Sequence, residues 1–242
     1  MIDLSRILIE DTEVYDEICN GDTVGVFQIE SRAQIAMLPR TQPRTLDDLT
    51  IQVSIVRPGP IVGGAVNPYV RRREARRQDP NAPIAMPACV RDVLEETLGV
   101  VLFQDQVIAV AKQMGGFSAS QAETFRRAMS RKRSAQIMER YRQQFMDGAA
   151  ARGVPPAEAT TMFENLLGFA EFGFPKSHGA AFGLLAYQST WLKHYFPPEY
   201  LCALLNEQPM GFYPPHVLTK DAGRHGVAIR RPEINQIGRA HV

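Results

Sequence analysis

The sequence has little of what marks secreted, membrane or metal-binding proteins. Its three cysteines, Cys19, Cys89 and Cys202, lie far apart and form no CxxC pair, which is typical of reduced structural thiols in the cytosol. The longest apolar run, 179–192, is interrupted by polar residues and falls short of the roughly 20 residues that a bilayer requires. The first residues are too acidic for a signal peptide. These absences predict a cytoplasmic protein without a membrane segment.

The short motifs of common catalytic sites are also missing. The sequence contains no Asp-x-Asp, no glycine-rich phosphate loop, no HExxH and no GxSxG. Two-metal phosphoryl transfer needs convergent carboxylates. The pair in this sequence that comes closest to such a motif is Asp11 and Glu13, and its position is typical of a helix start on an acidic surface. We therefore expect a chain that binds phosphates but does not catalyse by itself.

Charge is balanced over the 242 residues, at +1, but it is unevenly distributed. Residues 1–50 hold ten acidic residues against four arginines, a net charge of −6. Residues 118–153 hold eight basic residues against three acidic ones, a net charge of +5. Because a polyanion meets a local surface and not the total charge, the second segment predicts a cationic face.

Helix signals dominate, and the predicted fold class is mainly α with a few short strands, in one large or two small domains. Ser31 is a predicted N-cap, and Ser118–Gln121 matches a capping box. Strands are predicted at 24–28 and 100–103, and an extended segment after Gly226. The segment 61–90, rich in proline, glycine and arginine, is predicted to be mostly loop.

The long helix of the second half is predicted to begin at Ser177, which can act as its N-cap. Its core-facing side is predicted from the period of 3.6 residues. The residues assigned to that side are 181, 184, 185, 188, 191, 192 and 195.

The strongest candidate for phosphate binding is the run FRRAMSRKR at 125–133. It places five cations within about two and a half helical turns: Arg126, Arg127, Arg131, Lys132 and Arg133. Arginine forks suit phosphate oxygens, so the cluster could bind a triphosphate or a nucleic-acid backbone. A solvated helix face is the alternative. We expect no glutamate four residues before these arginines to neutralise them.

A second basic run, VRRREARR at 70–77, is predicted to be a mobile surface segment. Contact of Arg71, Arg72 and Arg73 with a duplex backbone is the functional alternative.

Two further sites could hold an anion. Lys176, Ser177 and His178 lie at a predicted helix start, where backbone N–H groups and the helix dipole favour negative charge. A simple helix N-terminus is the alternative, and the two interpretations are compatible. Arg57, in the rigid RPGP corner, could be a member of a buried ion pair or a phosphate contact.

Taken together, the motifs resemble one family. VGVFQIESRAQIAMLPR, VSIVRPGPI, NPYVRRRE, LGVVLFQDQVIAVA, FRRAMSRKR, FGFPKSHGAAF and LLNEQPMGFY occur in the order found in the C-family bacterial DNA polymerases, the family of the DNA polymerase III alpha subunit. SRAQIAMLPR, NPYVRRR and LLNEQPMGFYPPHVL most resemble the error-prone branch. The resemblance covers residues 11–235.

The resemblance implies a multi-helical fingers domain, which binds the incoming dNTP and the template-primer DNA. In the family, carboxylates of the palm hold two Mg²⁺ ions, and the fingers supply cations toward the triphosphate. By position, Arg126 and Arg127 are implied to contact the triphosphate, with Lys176, Ser177 and His178 in the same pocket. Arg57 matches the RPGP arginine. In the full-length parent, a sliding clamp and translesion accessory proteins are implied partners.

The resemblance also implies a partial chain, because the palm aspartates, the PHP domain and the thumb have no counterpart here. Residues 1–235 are predicted to be a fingers-region fragment. The last residues, 236–242, read QIGRAHV and back-translate to a common sequencing adapter, which predicts a non-native tail. Two alternatives stay open: a fragment of the replicative alpha subunit, and a stand-alone helical module that binds nucleic acid.

Overall fold

The computed structural model describes residues 2–57, 64–130, 135–169 and 174–230. These ranges contain twelve α-helices and two 3₁₀ helices, Leu4–Arg6 and Ala88–Val90, so the predicted mainly α class is confirmed. The α-helices, in chain order, are α1 (Thr12–Cys19), α2 (Arg32–Thr41), α3 (Leu46–Ile55), α4 (Val66–Gln78), α5 (Arg91–Leu94), α6 (Gln104–Gln113), α7 (Ala119–Ser130), α8 (Ala135–Ala150), α9 (Pro156–Phe169), α10 (Lys176–Tyr195), α11 (Pro197–Asn206) and α12 (Pro215–Arg224).

The predicted strands are wrong, because the described ranges contain no strand. At 24–28 the chain turns: Gly25 and Gln28 have φ values of 76° and 67°, in the left-handed region. At 100–103 a single side chain replaces a partner strand. The Oε1 atom of Gln106 accepts hydrogen bonds from the N–H groups of Leu102 and Phe103, at 2.8 and 3.0 Å. Residues 227–230 are also not in a strand.

The predicted loop at 61–90 is wrong for its middle part, where α4 occupies Val66–Gln78. Arginine, glutamate, glutamine and alanine are good helix formers, and they make up most of this helix. Tyr69 and Val70 anchor it, with 2% and 3% of their surface exposed. The second basic run is therefore helical.

Two of the three helix starts predicted from capping residues are confirmed. Ser31 accepts a hydrogen bond from the N–H of Gln34, and Ser118 and Gln121 bond reciprocally, so both predictions are confirmed. Ser177 is not the cap of α10, which begins at Lys176. The carbonyl of Pro175 accepts from the N–H groups of His178 and Gly179, because the proline with its fixed φ already starts the turn.

The chain forms two compact units. The terminal unit consists of Met1–Val53 and Ala180–Val242, and the central unit of Ser54–Gly179. The core of the terminal unit joins α1, α2, α3 and α10 through buried residues such as Val14, Leu38, Leu49 and Tyr187. The core of the central unit is built around four buried rings, Phe117, Phe125, Phe145 and Phe163. α3 and α10 each run from one unit into the other.

The predicted core side of α10 is wrong for most of its positions, although the half-buried Trp191 packs against the core of the terminal unit. Its buried positions are Gly179, Gly183, Ala186, Tyr187, Thr190 and Lys193, whereas Leu185 and Tyr195 are 45% and 44% exposed. Small residues decide the packing: a Cβ atom on Gly183 would lie 3.1 Å from the backbone nitrogen of Thr50 in α3. Hydrophobic periodicity missed this side because glycine, threonine and lysine carry no apolar signal. No described helix combines the length and apolarity needed to cross a membrane.

Candidate nucleotide-binding site

Two of the predicted site residues meet at one aromatic ring of the central unit. The guanidinium carbon of Arg57 lies over the ring of Phe174, 3.9 Å from its centroid. The ring of His178 packs against the same ring at 5.0 Å, with an angle of 79° between the planes. The carbonyl of Phe174 accepts a hydrogen bond of 3.1 Å from the N–H of Gln104, the first residue of α6. Residues that are distant in sequence are thus brought together at the N-terminus of α6.

Arg57 has an unusual environment for a cation. It follows the end of α3 and is half-buried, and its Nη1 atom is buried without a hydrogen-bond partner among the residues that the structure describes. Burial lowers the pKa of its guanidinium. Because a buried donor without an acceptor is costly, this nitrogen would gain from an anionic ligand. The contact of Arg57 with Phe174 is a cation–π interaction, which does not itself require the N–H donors.

Lys176 lies on the first turn of α10, and its ammonium pairs with Glu96 at 2.5 Å. Both side chains are about two-fifths exposed, and exposed pairs of this kind contribute little to stability. Ser177 and His178 follow on the same turn, and both are exposed. Lys176 can therefore exchange its carboxylate partner for a phosphate at little cost.

Arg126 and Arg127 share one carboxylate, so the expectation that no glutamate neutralises them is wrong. Glu123, on the preceding turn of α7, accepts two hydrogen bonds from Arg126, at 2.8 and 2.9 Å, and one from Arg127, at 2.8 Å. These bonds lower the pKa of Glu123 to about 2, so the carboxylate stays ionised at neutral pH. The sequence contained this information, because Glu123 lies three residues before Arg126 and four before Arg127, and side chains at these spacings meet on a helix.

Arg126 lies within electrostatic reach of the first turn of α6. The pKa of Arg126 is raised by its hydrogen bond with Glu123 and also by the charge of Asp105, the second residue of α6. The neighbouring Gln104 binds the carbonyl of Phe174.

The other predicted cations differ in their availability. Arg71 is exposed on α4. Arg72 donates a hydrogen bond of 2.6 Å to the carbonyl of Leu98, and burial lowers its pKa, so it ties α4 to the loop between α5 and α6. Arg73 is half-buried and has a partner within the chain. Arg131, Lys132 and Arg133 lie outside the described residues.

One group of side chains in the described ranges has the composition of a metal site. Glu17, Asp22 and His225 place ligand atoms within 4.8 Å of one another in the terminal unit. However, the ammonium of Lys193, itself only 8% exposed, lies 3.1 Å from both Asp22 and Asp221. A cation of the protein thus already balances these carboxylates, and the group does not fit the Mg²⁺ pair of a polymerase. Sequence reasoning missed this network because its members are scattered along the chain.

The helical fold agrees with the comparison with known families. The bacterial DNA polymerase III alpha subunit finger domain matches residues 1–153, and the chain belongs to this family. Similar curated proteins are the error-prone DNA polymerases of Anaeromyxobacter dehalogenans (strain 2CP-C), 47% identical over 237 residues, and Burkholderia mallei (strain ATCC 23344), 49% identical over 227 residues.

These alignments cover 97% and 93% of this chain but only 20% and 21% of the relatives, so the chain spans about a fifth of their length. A third relative, the error-prone DNA polymerase of Azoarcus sp. (strain BH72), is 48% identical over 96% of the chain and 22% of its own length. The predicted C-family membership is confirmed, and the names of these relatives agree with the predicted error-prone branch.

Proposed function

We propose that this chain is a fingers segment of an error-prone DNA-directed DNA polymerase, whose central unit binds the triphosphate of the incoming dNTP and the backbone of the template-primer DNA. The observation that carries the proposal is the environment of Arg57. Its half-buried guanidinium lies over the ring that also contacts His178, and no acceptor in the described part of the chain meets its Nη1 atom. Arg57 and His178 both match motifs of the family.

The surrounding cations supply the rest of the site. Lys176 and the pair Arg126–Arg127 are held by Glu96 and Glu123. A triphosphate carries more charge than either carboxylate and offers oxygens for bidentate contacts, so it can displace them. We infer that, before the nucleotide binds, the two glutamates keep these side chains ordered and their charges paired.

DNA binding is assigned to the same unit because of its charge. The central unit holds 17 basic and 12 acidic residues, a net charge of +5. The exposed Arg71 on α4 is the best candidate of its run for a phosphate contact, since Arg72 is bonded within the protein.

Catalysis is assigned to the rest of the parent protein. Mg²⁺ and its carboxylate ligands are proposed to come from segments outside this chain, because the acidic group at Glu17 is balanced by Lys193. The chain would contribute binding and orientation of the nucleotide, which lower the entropy cost of the reaction. A cytoplasmic location, a role in DNA damage tolerance, and the sliding clamp and translesion accessory proteins as partners belong to this proposal too.

The test compares Arg57→Ala with Arg40→Ala, a matched change of an exposed arginine on α2 in the terminal unit. Binding of dATP and of a primed duplex is titrated at about 50 and 200 mM salt, where phosphate contacts lose much of their affinity. We expect Arg57→Ala to weaken dATP binding about tenfold, the scale of one charged hydrogen bond, and duplex binding far less. Arg40→Ala should change neither.

Primer extension by the 242-residue chain should be undetectable. Equal losses of dATP and duplex binding in Arg57→Ala would argue against a triphosphate contact, and salt-insensitive binding would argue against phosphate recognition altogether.

A further inference from the structure

We propose that Phe174 is the positioning residue of this site, which orients the Arg57 guanidinium toward the triphosphate of a bound dNTP. The inference rests on the proposed function, and it identifies the side chain that sets the geometry of the cation. Phe174 carries no charge and no hydrogen-bonding side chain, so the search for phosphate ligands in the sequence passed over it.

Three segments converge on Phe174. Its ring contacts Arg57, which follows α3, and His178, on the first turn of α10. Its carbonyl is bonded to the N–H of Gln104 at the start of α6. The side chain is only 9% exposed. Because both the backbone and the ring are held, the ring offers Arg57 a surface with a fixed orientation.

Stacking on a ring differs from ion pairing because it does not occupy the N–H donors of the guanidinium. A guanidinium stacked on an aromatic ring uses its face, and all five N–H donors remain in its plane for a ligand. Arg126 and Arg127, by contrast, already donate N–H hydrogen bonds to Glu123. Phe174 therefore holds Arg57 without competing with phosphate, and preorganisation of this kind reduces the entropy cost of binding.

The experiment uses the full 242-residue chain and a fluorescent dATP analogue as the probe. Phe174→Leu keeps an apolar side chain but removes the aromatic face, whereas Phe174→Tyr keeps the face. Phe212→Leu, at a residue that is 72% exposed in the terminal unit, is the matched control. We expect Phe174→Leu to weaken dATP binding about tenfold, or about 1.4 kcal/mol. Phe174→Tyr and Phe212→Leu should bind as the unaltered chain does.

A double-mutant cycle separates positioning from a merely structural role. If Phe174 acts through Arg57, Phe174→Leu should cause no further loss of dATP affinity in an Arg57→Ala background. Melting temperatures are measured for each variant. Should Phe174→Leu fail to fold, Phe174→Met replaces it, because methionine adapts to irregular space.

Each outcome is decisive. If the unaltered chain binds the dATP analogue and the aliphatic variants bind it equally well, the positioning role of Phe174 is overturned and the proposed function stands. Additive losses in the cycle overturn it as well. If the unaltered chain does not bind the analogue at all, the proposed function fails, and the role of Phe174 fails with it.

Discussion

At the scale of single residues, the cations of the central unit fall into two classes. Arg126, Arg127 and Lys176 have carboxylate partners, whereas Arg57 lies on an aromatic ring, and its Nη1 atom has no acceptor within the described ranges. A phosphate must displace a carboxylate in the first class but only complete the hydrogen bonds in the second. The two classes should therefore respond in opposite ways when a neighbouring side chain is changed.

The first class can be tested at Glu123. Glu123→Gln removes the charge that competes with phosphate for Arg126 and Arg127, and we expect it to strengthen dATP binding about threefold, the scale of a surface ion pair. Glu139→Gln, on the exposed side of α8, is the control. Binding is measured by titration at constant salt. Weaker binding by Glu123→Gln would mean that the carboxylate orients the arginines and does not compete.

At the scale of elements, α10 shows how far sequence reasoning reaches. The existence of the helix was predictable from its length and composition, and the capping box of α7 from residues three apart. The buried side of α10 was not, since it depends on how closely the helix approaches α3 at Gly183. Likewise, the contact of Arg57 with Phe174 joins segments that no local pattern connects.

The close approach of α10 to α3 predicts a large effect of one substitution. Gly183→Leu would place its side chain against the backbone of Thr50 and should destabilise the fold by about 1–3 kcal/mol, as overpacking does. Gly223→Leu in α12 is the control, because a Cβ atom there meets nothing within 4 Å. Urea denaturation gives both values. Equal stability of the two variants would contradict the packing described here.

The hydrogen bonds of His225, which directly follows α12, predict that the free energy of unfolding depends on pH. Burial alone would lower the pKa of His225, but its hydrogen bonds with Asp22 and with the carbonyl of Asp221 raise it above the ordinary value. Lys193, Arg224 and Glu17 are further charged groups that face this cluster. A raised pKa means that His225 stabilises the fold fully below the unfolded pKa, about 6.5, and that this stability is lost as the pH rises through the folded value.

We therefore expect His225→Gln to lower the free energy of unfolding more at about pH 6 than at about pH 8.5, on either side of the histidine titration. Denaturation curves at the two pH values test this. His216→Gln, an exposed change at the start of α12, is the control and should show no such difference. A pH-independent loss in His225→Gln would contradict the linkage.

At the scale of the whole molecule, the two units carry net charges of opposite sign. The terminal unit holds 10 basic and 14 acidic residues, a net charge of −4, against +5 for the central unit. A polyanion should be attracted to one unit and repelled by the other. The overall charge of +1 hides this division completely.

The division predicts where salt-dependent binding to DNA originates. Arg71→Ala, in the central unit, should weaken duplex binding and reduce the slope of log affinity against log salt by about one, the value for one phosphate contact. Arg40→Ala, in the terminal unit, should leave the slope unchanged. Filter binding across a range of salt concentrations gives both slopes. A larger effect of Arg40→Ala would reverse the assignment.

The amide of Gln106 gives the segment at 100–103 its shape. Its oxygen receives two backbone N–H groups, and its nitrogen donates to the carbonyl of Val93 and the hydroxyl of Thr97. Glutamate has the same outline but, when ionised, no donor end. Hydrolysis of this one amide would therefore remove the donor of two hydrogen bonds and set an anionic oxygen against the carbonyl of Val93, in the same turn of α6 whose first residue binds the carbonyl of Phe174.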